Sequence, residues 1–248
     1  MRAIRVPLWI RLIALALLLA PAAGICANVP AAVSTPPPCT PPFDIPKPAT
    51  PKAAFDLLVA GNGRFSSRTA TRPNQCPWGI TQTPYAAILS CADARVPPEI
   101  LFDTGVNELF IVRVAGNTAG APSITNVTDS IMTQSLAYGV QVLGVKVIVV
   151  LGHLSCGAVN GALPPCDAGQ GAGGPMLQNL CPAAAATRSI TDLRKRQAAT
   201  VSQNVMLTVN LISRMAPFRG EIRKRKLAVV GGVYDISTGK VTFVTPLP

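Results

Sequence analysis

Histidine occurs once in the 248 residues, aromatic side chains make up only 5% of them, and 11 acidic residues face 22 basic ones. The scarcity of aromatics bears on the basic clusters at residues 194–196 and 223–226. Neither aromatic interleaving nor a groove-reading motif accompanies them, so no nucleic-acid partner is expected. They read as solvated faces with a general attraction for anions or acidic envelope surfaces. The apolar run at residues 12–20 is short of the roughly 20 residues that span a bilayer. Arg2, Arg5 and Arg11 precede it and small residues follow as far as Ala27. Residues 1–27 therefore read as a signal peptide, leaving no stable membrane anchor once cleaved, and export to the periplasm or the medium is expected. Ile25, where a lipidation signal wants a small residue, argues against a lipid on Cys26. Without the leader, 19 basic residues remain and the net charge is near +8.

With 49% hydrophobic residues, the remaining chain is long enough for one substantial core, and its composition is neither disordered nor fibrous. Residues 28–50 read as an arm, dense in proline and unable to propagate a helix. The folded domain is expected over 51–248. Thr50 as N-cap, Pro51 in the first turn and Gly61 after the apolar run bracket a short predicted helix through Phe55 and Leu58. Loss of Cys26 leaves six cysteines, and an oxidising compartment permits disulfides among them. Connectivity is open from sequence. The expected pairs are Cys166 with Cys181, which bracket one Gly/Ala/Pro-rich loop, and Cys39 with Cys76.

Residues 85–90 (YAAILS), 109–115 (LFIVRVA) and 145–152 (VKVIVVLG) are short branched apolar runs, the mark of strands buried on both faces. Between the second and third, Met132, Leu136, Val140 and Leu143 recur at helical spacing, as a parallel crossover requires. Val201, Val205, Val209 and Ile212 mark a second helix. The last run, 227–244, reads as two strands around a Ser-Thr-Gly turn. The fold class is α/β, a mostly parallel central sheet flanked by helices.

In such sheets ligands collect at the carboxyl ends of strands. Cys91 follows the first of these strands. His153 and Cys156 follow the third, in GHLSCGA, where a tight turn lets two side chains three residues apart converge. Thiolate and imidazole suit zinc, and two cysteines with one histidine leave a fourth position open for catalysis. The sole histidine standing three residues from a cysteine at a strand end reads as a ligand.

CADARVPPE from Cys91, FIVRVAGN from Phe110 and GHLSCGA from Gly152 together resemble the β-class carbonic anhydrases. The resemblance runs from about Phe55 to Val244. It implies one Zn²⁺ per subunit on Cys91, His153 and Cys156, reversible hydration of carbon dioxide to bicarbonate by a zinc-bound hydroxide, and a homodimer or an assembly of dimers with active sites near the subunit interface. It assigns Gln82, Phe110 and Tyr138 to the substrate pocket. Asp93 is expected to orient the nucleophile and Arg95 to hold Asp93. In a closed state, Asp93 leaves Arg95 and becomes a fourth zinc ligand. Ala92, Ala94 and Ala137 stand where the family commonly has two serines and a glutamate, which puts the outer tuning of the site in doubt. Ile88, in place of the tryptophan of the bicarbonate-inhibited subgroup, argues against that regulation. With His153 on the metal, no imidazole remains to shuttle protons. The alternatives are hydrolysis of carbon disulfide or carbonyl sulfide on the same fold, and a non-catalytic zinc protein whose fourth ligand is a further cysteine such as Cys166 or Cys181.

Overall fold

Thr50 accepts a hydrogen bond from the Ala53 amide at 3.2 Å and so caps helix α1, Pro51–Ser66, with proline in the first turn where its missing N–H costs nothing. The computed structural model describes residues 47–71, 81–120, 130–170 and 174–245. The leader, the arm as far as residue 46, and the Cys39–Cys76 pairing lie outside the described residues. Helix α1 does not stop at Gly61 as expected. It continues through it, because Gly61 serves close packing rather than termination: a Cβ there would stand 1.8 Å from the Phe102 carbonyl oxygen.

Strands β1 (Ala86–Ser90), β2 (Leu109–Arg113), β3 (Val147–His153), β4 (Ala228–Tyr234) and β5 (Val241–Phe243) form one sheet in the order β2-β1-β3-β4-β5. All pairings are parallel except β4 with β5, the closing hairpin. The predicted strands are present, their ends shifted by one or two residues. Every residue of β1 and β3 is buried, which explains their unbroken apolar sequences. Ala87, Leu89, Ile148 and Val150 face one layer, and Ala86, Ile88, Val147 and Val149 the other, where Phe55 and Leu58 of α1 pack. Each such branched side chain contributes about 1.5–3 kcal/mol on burial.

Helix α2 (Pro98–Leu101) precedes β2, and α3 (Ile131–Gln141) lies between β2 and β3. Leu143, the last position of the predicted periodic helix, falls in the turn after α3, which ends at Gln141. The predicted helix through Val201 and Ile212 is α7 (Leu193–Arg214), and before it three helices occupy and flank the expected Gly/Ala/Pro-rich loop: α4 (Gly157–Asp167), α5 (Pro175–Gln178) and α6 (Cys181–Ala186). Their signal is blurred by Pro164 and Pro165 within α4 and by the low complexity of the alanine run in α6. The sulfurs of Cys166 and Cys181 lie 2.02 Å apart, at bonding distance, joining the end of α4 to the start of α6. A final helix, α8 (Ala216–Arg223), leads into β4.

The sheet brings α7 close through two glycines. A Cβ on Gly152 would meet Val205 at 2.7 Å and one on Gly231 would meet it at 2.5 Å, so bare backbone makes the notch for this valine. Seating Val205 fixes its neighbour Asn204 against the turn beyond β2, and the functional site depends on that turn. Among the described residues no helix is long and apolar enough to cross a membrane.

Candidate metal centre

β1 and β3 run side by side, so the residues at their carboxyl ends emerge together. Cys91 leaves β1 and His153 ends β3. The chain then turns through Ser155, in the left-handed region at φ 56°, so that Cys156 points back as the residue preceding α4. One ligand atom from each of Cys91, His153 and Cys156 lies within 4.8 Å of the others, and all three side chains are buried.

The donor set fits zinc on the evidence of its hydrogen bonds. His153 Nδ1–H donates a hydrogen bond to the Leu154 carbonyl oxygen at 2.9 Å, which leaves Nε2 with its lone pair free. That Nε2 is fully buried without a hydrogen-bond partner, a costly arrangement unless an electrophile completes it. A tetrahedral centre with zinc–sulfur and zinc–nitrogen bonds of ordinary length needs ligand separations of roughly 3.5–3.8 Å, which this cluster accommodates.

The two thiols differ in environment. Hydrogen bonding from Cys156 draws the Cys91 thiol well below its ordinary value against the opposing effect of burial, and the Gly116 amide adds to it. The same pairing with Cys91, together with burial, pushes Cys156 up. The two sulfurs are thus coupled through one hydrogen bond, which lowers the pKa of Cys91 and raises that of Cys156.

Beside them, Asp93 is gripped by Arg95. The guanidinium donates to both carboxylate oxygens, at 2.9 and 2.7 Å, and the Arg95 amide donates a third bond at 2.9 Å. These bonds hold the Asp93 carboxyl far below the usual range, the Arg95 side chain being the largest cause. Asp93 Oδ2 stands 3.8 Å from His153 Nε2, at the rim of the cluster and outside it.

Residues 86–241 match the family described as Carbonic anhydrase. Carbonic anhydrase 2 of Mycobacterium tuberculosis is 34% identical over 200 residues, covering 77% of this chain and 91% of the relative. The chain belongs to the β-carbonic anhydrase family. A carbonic anhydrase of Mycolicibacterium smegmatis is 32% identical over 206 residues, 78% of this chain and 93% of its own. For the fold, the chain resembles the tetrameric β-carbonic anhydrases of Sordaria macrospora with a TM-score of 0.57 at 24% identity, over 77% of this chain and 97% of that one. The enzyme is thus a carbonic anhydrase, and carbon dioxide hydration is the general activity of its family.

The remaining expected residues are not gathered at this carbonic anhydrase's own ligand cluster. Phe110 shares a sheet face with Cys91, yet pairs with Ala87, four residues earlier, about 13 Å along the strand. Its ring lies 6.1 Å from that of Tyr138 on α3, centroid to centroid. Gln82 is exposed near the amino end of β1, in a segment whose neighbours Thr81 and Thr83 are tied to Asn107. The length of β1, about 16 Å, separates it from Cys91.

Two supporting residues had no assigned role from sequence. Arg113, at the end of β2, donates to the Cys91 carbonyl at 3.0 Å and to the Asp93 carbonyl at 2.7 Å, clamping the loop that carries both. Its signal was a charge closing an apolar strand run at the end where Cys91 emerges. Asn204 donates to the Gly116 carbonyl at 2.9 Å, and the Gly116 amide lies 3.4 Å from Cys91 Sγ. No pattern in sequence marks that link, which spans 88 residues. Replacing Arg113 with Gln is expected to cost about 1 kcal/mol of stability and roughly tenfold in kcat with zinc content retained. Lys, lacking the fork that reaches both carbonyls, should not rescue it. Unaltered kcat in both variants, measured by stopped flow, would show that the clamp is idle.

Proposed function

We propose that this chain catalyses the reversible hydration of carbon dioxide with one zinc held by Cys91, His153 and Cys156, and that Asp93 and Arg95 act beside the metal. The observation that carries this is the convergence of three buried ligand atoms within 4.8 Å, with a paired carboxylate at their rim. Zinc held by these three residues would supply a nucleophile from water at neutral pH, chemistry established for carbonic anhydrases of the three-histidine type. Arg95 keeps Asp93 ionised and turned toward the cluster, so that a carboxylate oxygen can accept the O–H of the nucleophile and orient it. Stopped-flow hydration by the zinc-loaded mature chain at mildly alkaline pH is the test. Rapid turnover supports the reading. A folded, zinc-loaded chain that does not hydrate carbon dioxide overturns it, and carbon disulfide and carbonyl sulfide are then the substrates to try.

Asp93→Asn keeps the shape but loses the charge that pairs with Arg95. Turnover is expected to fall by about 100-fold, and any low-pH closure through Asp93 should disappear from the pH profile. A profile identical to the parent's would remove Asp93 from the mechanism. Because His153 is the sole histidine and is fully buried, proton release must use water, buffer or a tyrosine. Saturating turnover should therefore rise with buffer concentration, and equal rates in weak and strong buffer would refute this.

The working unit proposed is a homodimer or an assembly of dimers. Its support is the apolar stripe of Ile131, Tyr138 and Val142 along and just beyond α3, exposed by 78%, 47% and 64%. Pairing through this face would let Gln82, Phe110 and Tyr138 serve a neighbouring subunit's carbon dioxide pocket, since they stand apart from their own ligands. Export, cleavage of residues 1–27 and a Cys166–Cys181 disulfide complete the proposal. Light scattering and the intact mass of the mature protein test these points.

A further inference from the structure

The basic run at residues 223–226 lies away from the candidate metal centre, and its backbone is firmly tied. Between the buried side chains of Phe218 and Leu227, the chain leaves α8 through a turn fixed by backbone hydrogen bonds. Lys224 donates to the Gly220 carbonyl, Arg225 to that of Ile222, and Lys226 and Leu227 both to that of Glu221. Arg223, Lys224, Arg225 and Lys226 are all exposed on it, with Arg219 exposed one helical turn earlier. Lys146 joins them, because its carbonyl accepts from Ala228 where β3 and β4 begin. The acidic partner found here among the described residues is Glu221, and it pairs with Lys224 at 2.9 Å. Arg219, Arg223, Arg225 and Lys226 form no ion pair among the described residues. The backbone that carries this concentrated positive charge is thus fixed, so docking orders little further main chain.

The position of this charge is as informative as its sign. The patch lies at the amino ends of β3 and β4, whereas the metal ligands leave the carboxyl ends of β1 and β3, roughly 20 Å away. The other basic cluster, Arg194 to Arg196, opens α7, a helix roughly 33 Å long that runs from the metal end of the sheet toward the patch. That cluster is offset by acids: Arg196 is bound to Asp167 at 2.7 Å, and Asp192 caps the helix.

We propose that the turn at residues 223–226, with Arg219 and Lys146, is a docking surface for an anionic phospholipid bilayer, holding the enzyme reversibly with its metal centre facing away from the membrane. Clusters of four to eight cations beside an amphipathic helix suit a layer of lipid phosphates, and the attachment is electrostatic with no inserted anchor. The patch is a convex turn without aromatic side chains, which suits a planar headgroup layer better than a nucleic-acid groove or a stacked single strand.

The test is co-sedimentation of the full mature, zinc-loaded enzyme with vesicles of phosphatidylglycerol and phosphatidylcholine, beside vesicles of phosphatidylcholine alone. Binding to the anionic vesicles at low salt, weakening as salt rises, is expected. The double variant Arg223→Gln with Arg225→Gln should lose roughly fivefold in partitioning for each cation removed. The control, Arg194→Gln with Lys195→Gln, removes the same charge from the other end and should bind like the parent. Bound enzyme should keep its carbon dioxide hydration rate. Equal loss in both double variants would reduce the effect to net charge, and absence of vesicle binding would end the proposal. Tighter binding to duplex DNA at equal phosphate concentration would replace the bilayer with nucleic acid. Loss of hydration on the vesicles would overturn the orientation.

Discussion

Replacing Cys91 with Ser is expected to abolish hydration, by at least about 1000-fold, while leaving a folded chain that no longer holds zinc at one per subunit. Serine nearly matches the cysteine in size, so the buried position loses little packing. What it loses is the thiolate. The Cys156 side chain and the Gly116 amide both act to lower the pKa of the Cys91 thiol. A hydroxyl in the same place stays protonated and is a poor ligand for zinc. The remaining Cys156 and His153 offer two donors where a catalytic zinc site uses three. Metal analysis of the purified variant and stopped-flow hydration read the two losses together. Parent-like hydration with full zinc would remove Cys91 from the ligand set, and with it the assignment of this cluster as the catalytic centre. Misfolding is separated from metal loss by circular dichroism, which should be unchanged in the far ultraviolet.

The second large effect is on stability. Gly61→Ala adds one methyl group in the middle of α1, where helix propensity alone would favour alanine by about 1 kcal/mol. The structure reverses that sign. The new Cβ would lie 1.8 Å from the Phe102 carbonyl oxygen and 2.7 Å from its carbon, and a main chain cannot rotate away as a flexible side chain would. Either α1 lifts from the sheet, exposing Phe55 and Leu58, or the segment after α2 shifts. Its Asp103 receives Arg64 of the same helix and Thr71 beyond it. A cost of about 3 kcal/mol is expected, read as a lower urea midpoint with hydration per folded molecule nearly unchanged. An unchanged or raised midpoint would show that α1 is not packed this closely. Cys91 and Cys156 pack in the layer on the other face of the sheet from Phe55 and Leu58 of α1, so the loss should appear in stability more than in turnover.

Much of the architecture was legible because burial on two faces leaves a strong mark. The strands β1 and β3 are uninterrupted apolar runs, and α7 carries its buried valines at the expected spacing. Boundaries and tight packing were less legible. Gly61 looked like a helix stop because glycine ends helices often, yet the same missing side chain also permits close contact with a distant backbone. The helices α4 to α6 were obscured because proline and glycine suggest loops locally, whereas the Cys166–Cys181 link and contacts with α7 can hold such segments helical.

The sequence by itself determined the parallel α/β sheet, the candidate ligand trio and the family, because each rests on residue types at short fixed spacings or on strand-length hydrophobic patterns. Only the tertiary structure decided how the trio is supported and where the other residues stand. Arg113 reaches back over 22 residues to the Cys91 carbonyl, and Asn204 reaches over 88 to the Gly116 turn. Gln82, Phe110 and Tyr138, expected in the substrate pocket, stand away from their own Cys91. Spacing along a chain fixes local direction, but contacts between distant segments depend on how strands are ordered in the sheet and how closely each helix can approach it.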